Sequence, residues 1–249
     1  MKIQDSNFLE YIGVEEQNFL TSMANFREEF DIFAALDEIY RSPLKRLEVK
    51  PSESVACQLY LFVHFHLYFS ASCIMRAHLS EALSSLRKAI DAAFTAYEII
   101  LNPESVESYI DKTKPENKRF QYIKSAIKEA VEKDPSAYPL AHELVKLHEA
   151  CSEFGSHADI NSFVHRLEIK DIPGESKDQL LVHYFQFPKN KYEYRFYFIV
   201  VLLSFWHIFK IFKLFFDKTL KVIDPQWEDS FKLLGPKLNK LREICRKQF

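Results

Sequence analysis

Residues 51–101, PSESVACQLYLFVHFHLYFSASCIMRAHLSEALSSLRKAIDAAFTAYEIIL, decide the fold. Pro51-Ser52-Glu53 opens a helical stretch that runs to about Leu101. From Val55 to Met75 it is apolar nearly all round, interrupted mainly by Gln58, His64 and His66, and a helix apolar on every face is buried in a core or in lipid. The second half is amphipathic: Leu79, Leu83, Leu86, Ile90, Phe94, Tyr97 and Leu101 share one face, with Ser80, Ser84, Arg87 and Asp91 beside it. A single unbroken helix of that length would reach roughly 75 Å at 1.5 Å per residue, too long for a compact domain. The stretch therefore predicts an antiparallel helix pair with a tight turn between Arg76 and Ser80.

The rest of the chain carries the same helical period. Upstream, Phe19, Met23, Phe26, Phe30, Phe33, Leu36 and Tyr40 advance by three or four, which predicts one helix from Glu15 to about Arg41, ended by Ser42-Pro43. Asn102-Pro103-Glu104 reads as a helix start, with a side-chain cap and proline in the first turn, for a short helix to about Lys112. Further helices are predicted over Arg119–Lys133, Ser136–Phe154, Tyr192–Val222 and from about Asp229 to the C-terminus. Residues 163–187 are the least helical part. Two apolar segments flank Pro173-Gly174 there, compatible with a small β-hairpin or with an irregular excursion. The expected architecture is a single all-α domain: a helical bundle over 51–249 with an N-terminal helical arm over 1–50. The apolar face of that arm, at 15–41, predicts self-association into a homo-oligomer.

Composition narrows the function. The 249 residues include only four glycines, each isolated, where ordinary usage gives about 17. A phosphate-cradling loop needs several glycines together, so nucleotide-cofactor sites of the Walker and Rossmann types are not expected. Neither is serine acyl transfer, which lacks a Gly-x-Ser-x-Gly here. Cys57, Cys73, Cys151 and Cys245 are widely separated, which predicts free thiols in a reduced, cytoplasmic protein. The N-terminus lacks the pattern of a signal peptide. His64 and His66 point about 200° apart on a helix, and no other histidine pair has ligand spacing, so neither a metal nor any other cofactor is expected.

FYFIVVLLSFWHIF (196–209) has no formal charge but is shorter than the roughly 20 residues that span a bilayer. It reads first as a buried core helix, then as an interfacial or oligomer-facing one, and membrane contact is not expected. The formal net charge of −2 conceals an asymmetry: 1–50 holds ten acids and six bases, 205–249 ten bases and five acids. Those halves are either two solvated faces, chain ends that attract one another, or a basic surface for nucleic acid or acidic lipid at Lys232, Lys237, Lys240, Arg242, Arg246 and Lys247.

The constellation closest to chemistry joins 80–100 with 147–160. Arg87 and Asp91 lie one turn apart beside small residues, and Ser152, Ser156 and His157 gather at a helix C-terminus, where an imidazolium is favoured. Arg87, Asp91, Ser152 and His157 read either as a polar network that fixes helix packing or as an anion-binding or acid–base site. The motifs Ser80-Glu-Ala-Leu-x-x-Leu-Arg87-x-x-x-Asp91 and Leu147-x-x-x-x-Ser152-x-x-x-x-His157 carry a resemblance. Over about residues 52–165 the chain is similar to a broad group of bacterial helical domains that in turn resemble the HEPN superfamily. The resemblance implies a helical bundle that often dimerises and either binds RNA or cleaves it without metal, commonly in bacterial stress or anti-phage defence. That superfamily's hallmark is an arginine followed after four to six residues by a histidine. Here Ala150, Cys151 and Ser152 stand where the arginine would precede His157, leaving Arg87 as the cation. The expectation is an HEPN-like binding and self-associating protein, with a ribonuclease using His157 and Arg87 as one alternative and a membrane-associated effector as another.

Overall fold

A computed structural model describes residues 8–45, 50–155, 167–170, 179–182, 191–219 and 225–248. In chain order the helices are α1 (Phe8–Asn25), α2 (Arg27–Leu44), a 3-10 turn (Pro51–Glu53), α3 (Ser54–Met75), α4 (Leu79–Leu101), α5 (Ser105–Ile110), α6 (Asn117–Gln121), α7 (Ile123–Lys133), α8 (His142–Gly155), α9 (Lys191–Thr219) and α10 (Pro225–Arg246). The class is all-α. Two four-residue strands, β1 (Leu167–Lys170) and β2 (Gln179–Val182), pair antiparallel with Leu167 opposite Val182. The segment between them lies outside the described residues.

The α3–α4 pair forms with its turn where the sequence places it. Ala77 adopts the left-handed conformation at φ 66°, and the carbonyls freed at the end of α3 are taken by the next turn: His78 N–H donates to Cys73 O at 2.8 Å and Ala77 N–H to Ile74 O at 3.0 Å. This is the Schellman closure, in which glycine ordinarily occupies the left-handed position. α1 lies over this turn through polar groups. Ser22 donates to Met75 O at 2.9 Å, and His78 Nε2 sits 2.6 Å from Glu15 Oε1.

α9 runs beside the hairpin, with α2 and α10 packed on it and α7–α8 on α4. Phe198, Phe205, Phe209, Phe212 and Phe216 of α9 are fully buried, and 67% of its most apolar 18-residue window lies inside the protein. By length and composition the helix could cross a membrane, yet here it is the centre of the core. Tyr40 of α2 stacks on Tyr60 and His64 of α3 and meets Phe209 edge-on at 5.0 Å. The two buried hydroxyls are satisfied in series, Tyr60 donating to Tyr40 O and Tyr40 to Phe205 O. At Gly235 of α10 the indole of Trp206 lies against bare backbone, where a Cβ would collide with the ring.

Several expected boundaries move. The helix expected over Glu15–Arg41 is broken at Phe26 (φ −113°, ψ 41°), and the break rotates the buried face. Ile32, Leu36, Ile39 and Tyr40 are buried, while Phe30 and Phe33 are only half-buried. Residues 1–50 are thus not one arm, because α2 belongs to the same core as α3, α4 and α9. Its apolar face is consequently not free for self-association. Asn102 ends α4 rather than starting α5, its side chain donating to Glu98 Oε1 at 3.2 Å. The helix expected over Arg119–Lys133 breaks at Tyr122. The one expected from Ser136 starts at His142, since Pro139 pushes the residue before it out of helical geometry.

Candidate functional site

Four neighbouring elements leave a cavity of about 800 Å³ between α3, α4, the α6–α7 junction and α8. α4 supplies its polar wall. Arg87, Asp91 and Thr95 follow one another at single turns, and Lys88 stands beside them. α8 crosses α4 here and contributes His148 and Ser152, again one turn apart. Phe62 of α3, with Phe120 and Tyr122 from the α6–α7 junction, supplies aromatic wall, and Lys124 of α7 adds a third cation.

The position of α8 is fixed by a buried polar contact. Glu98 of α4 accepts from the Tyr138 hydroxyl and from Arg119 Nη2, the latter at 3.1 Å. Burial, reinforced by the Glu98 carboxylate, pushes the Tyr138 hydroxyl up to about 12. That clamp carries the chain into α8 so that His148 faces Asp91.

His148 Nε2 sits 2.9 Å from Asp91 Oδ1, although its N–H direction is off the line of a hydrogen bond. The imidazole is 5% exposed and the carboxylate 44%. On the other side of the ring, Nδ1 lies 3.5 Å from Ser152 Oγ, whose hydroxyl donates to its own helix at His148 O, 2.8 Å away. Among the described residues, neither Arg87 nor Lys88 pairs with a carboxylate. Lys124 and Lys128 share Glu149 Oε1 at 3.2 and 3.0 Å, and their hydrogen bonds hold the Glu149 carboxyl below its ordinary range. With Lys124 paired to Glu149, the cavity wall carries Arg87 and Lys88 against one carboxylate, Asp91, a net positive charge.

Two nearby groups are quiet. Burial pushes the Cys151 thiol up to about 12, with Arg87 acting in the opposite direction, so it stays protonated at neutral pH. His66, hydrogen-bonded to Ser85 at 2.7 Å, is shifted down by burial and by Lys88, which favours the neutral ring. Among the described residues, no three histidine, cysteine or acidic side chains gather as metal ligands.

Of the four site residues expected from sequence, Arg87, Asp91 and Ser152 line one cavity. His157 lies outside the described residues. The imidazole that does face Asp91 is His148, which sequence reading sets aside with the other histidines. Its signal was present: it precedes Ser152 by one turn on the buried side of α8, beside Leu144 and Cys151. The aromatic wall had no such signal, since Phe62 and Tyr122 are brought to Arg87 only by packing.

The C-terminal bases lie elsewhere. Lys237, Lys240, Arg246 and Lys247 are exposed on or just after α10, Arg242 is half-buried beside Glu243 at 3.6 Å, and none lines the cavity. Lys237 comes within 4.0 Å of Glu28 of α2, and Lys232 pairs with Glu228 at 3.3 Å. Among the described residues, the Lys237–Glu28 approach is the one ion pair that joins the acidic and basic ends. No protein-family model, curated protein or solved structure matches this chain.

Proposed function

We propose that this chain is an HEPN-like binding protein of bacterial stress or defence type, and that its cavity takes single-stranded RNA. The supporting observation is the pairing of Arg87 and Lys88, both without a carboxylate partner among the described residues, with aromatic walls in one cavity. A phosphate supplies the counter-charge those two cations lack, and a base stacks on exposed aromatic surface such as Tyr122, which is 68% exposed. Glycine-rich phosphate loops are replaced in this reading by side-chain cations on a rigid helix.

The test is fluorescence anisotropy with a labelled single-stranded RNA at low salt. The wild-type chain is expected to bind, Arg87→Gln to weaken binding about tenfold or more, and Lys240→Gln on α10 to leave it unchanged. An affinity indifferent to Arg87→Gln sinks the reading.

A second reading, ribonuclease action, is favoured by one observation. The His148–Asp91 pair at 2.9 Å shares the cavity with Arg87, so a base for the 2′-hydroxyl and a cation for the phosphate face one space. Cleavage of labelled RNA in chelator, lost in both His148→Ala and Arg87→Gln, supports it; cleavage unchanged in both removes it. His157→Ala, run alongside, tests the pairing of Arg87 with His157 expected from the sequence.

A further inference from the structure

α3 contains no charged residue over its 22 positions, and among the described residues none covers one of its faces. Leu61, Phe62, Phe65, Tyr68 and Phe69 are 50%, 44%, 59%, 42% and 47% exposed. About half of five side chains, each of roughly 200 Å², leaves an apolar stripe of about 500 Å², at the upper end of what a monomer presents. The stripe is ordered rather than loose. Phe65 stacks with Phe69 at 6.1 Å between centroids, Phe62 and Phe65 both meet the His66 ring edge-on, and the Tyr68 hydroxyl donates to Asp37 at 2.5 Å.

Its spacing names the occupant. Counted from Phe65, large apolar residues stand three and four positions before it (Phe62, Leu61) and three and four after it (Tyr68, Phe69). The polar residues Gln58 and Ser72 close the stripe seven positions away on either side. We propose that this face of α3 docks on a second copy of itself, antiparallel, about a two-fold axis that passes by Phe65. Each residue then meets its counterpart: Phe65 meets Phe65, Phe62 meets Tyr68, Leu61 meets Phe69. A two-fold interface requires such self-complementarity of one patch. Charge permits it, since an uncharged face presents nothing to repel its copy. Area permits it too. The two stripes alone bury about 1,000 Å², and the polar ends bring the total to the roughly 1,200 Å² at which specific interfaces begin.

Light scattering after size exclusion at about 20 μM is expected to give twice the chain mass for the wild type. Phe65→Glu places two carboxylates at the axis and is expected to weaken the dimer at least a hundredfold, giving the monomer mass, with the helical circular-dichroism spectrum retained. Phe65→Gln is the milder companion should the charged variant melt early. The geometry has its own readout: mild oxidation of Phe65→Cys is expected to cross-link two chains, whereas Leu233→Cys on α10, 73% exposed, and the wild type do not cross-link. A monomeric wild type overturns the proposal, as does a dimer that survives Phe65→Glu. A wild type that stays monomeric and floats with phosphatidylcholine vesicles overturns it as well, in favour of lipid on the stripe.

Discussion

His207 sits on the central helix α9, half-buried beside Trp206 and one turn from Lys210 and Leu203. Burial, then the charges of Lys210 and Arg242, pull its pKa down to about 4, with Glu143 opposing. In the unfolded chain the ring titrates near 6.5. Between those values the unfolded state binds a proton that the folded state refuses, so stability is complete above pH 6.5 and falls as pH drops towards 4. Discounted for the ring's partial exposure, the loss amounts to about 2 kcal/mol. Urea denaturation at pH 7.5 and pH 4.5 measures it, and His207→Gln is expected to remove that share of the acid destabilisation. If the variant shows the same acid loss as the wild type, His207 is not its source. A lone histidine in an apolar run is visible in a sequence; the direction of its titration is not, because its burial and the approach of Arg242 and Glu143 come from other helices.

At the scale of elements, the α3–α4 turn shows how much backbone chemistry a sequence can hide. Its location follows from helix length and the change of hydrophobic pattern at Arg76–Ser80, yet no glycine marks it. Ala77 fills the left-handed position instead, where a side chain costs about 1 kcal/mol, and its methyl is almost fully buried. Ala77→Gly is expected to change stability by less than about 1 kcal/mol, relief of backbone strain offsetting the lost methyl. Ala77→Val forces a β-branched residue into the same conformation and is expected to cost about 2 kcal/mol or more in thermal denaturation. Equal stability of all three would refute the Schellman geometry. The breaks at Phe26 and Tyr122 had no comparable signal. Both are aromatic residues within a continuous helical period, and each helix turns there because its next apolar face must meet a different neighbour.

For the whole molecule, the decisive contact joins residues 166 apart in the chain. Glu29 of α2 is completely buried, and Arg195 at the start of α9 holds its Oε1 through Nη2 at 2.6 Å and Nε at 2.8 Å. Periodicity places Glu29 on the apolar stripe, one turn from Phe26, Ile32 and Phe33, but does not say which distant cation answers its charge. Removing Arg195 leaves an uncompensated carboxylate in the core, so Arg195→Met is expected to lower stability by about 3–5 kcal/mol. The double substitution Glu29→Leu with Arg195→Met is expected to recover most of that loss. A single variant as stable as the wild type in urea titration would mean that the pair does not hold α2 to α9.

The sequence by itself determined that the chain is helical, that residues 51–101 form an antiparallel pair, and that Arg87, Asp91 and Ser152 belong to polar faces of two helices. Those properties follow from local period, from proline and from length, all of which act between residues near in the chain. Only the tertiary structure decided that α2 is core rather than arm, that His148 meets Asp91 beside an arginine with no carboxylate partner among the described residues, and that those residues leave an apolar stripe of α3 uncovered. Each of these depends on which faces of distant helices meet. A hydrophobic stripe records that a face is to be buried, but not against what, since apolar contact is non-directional.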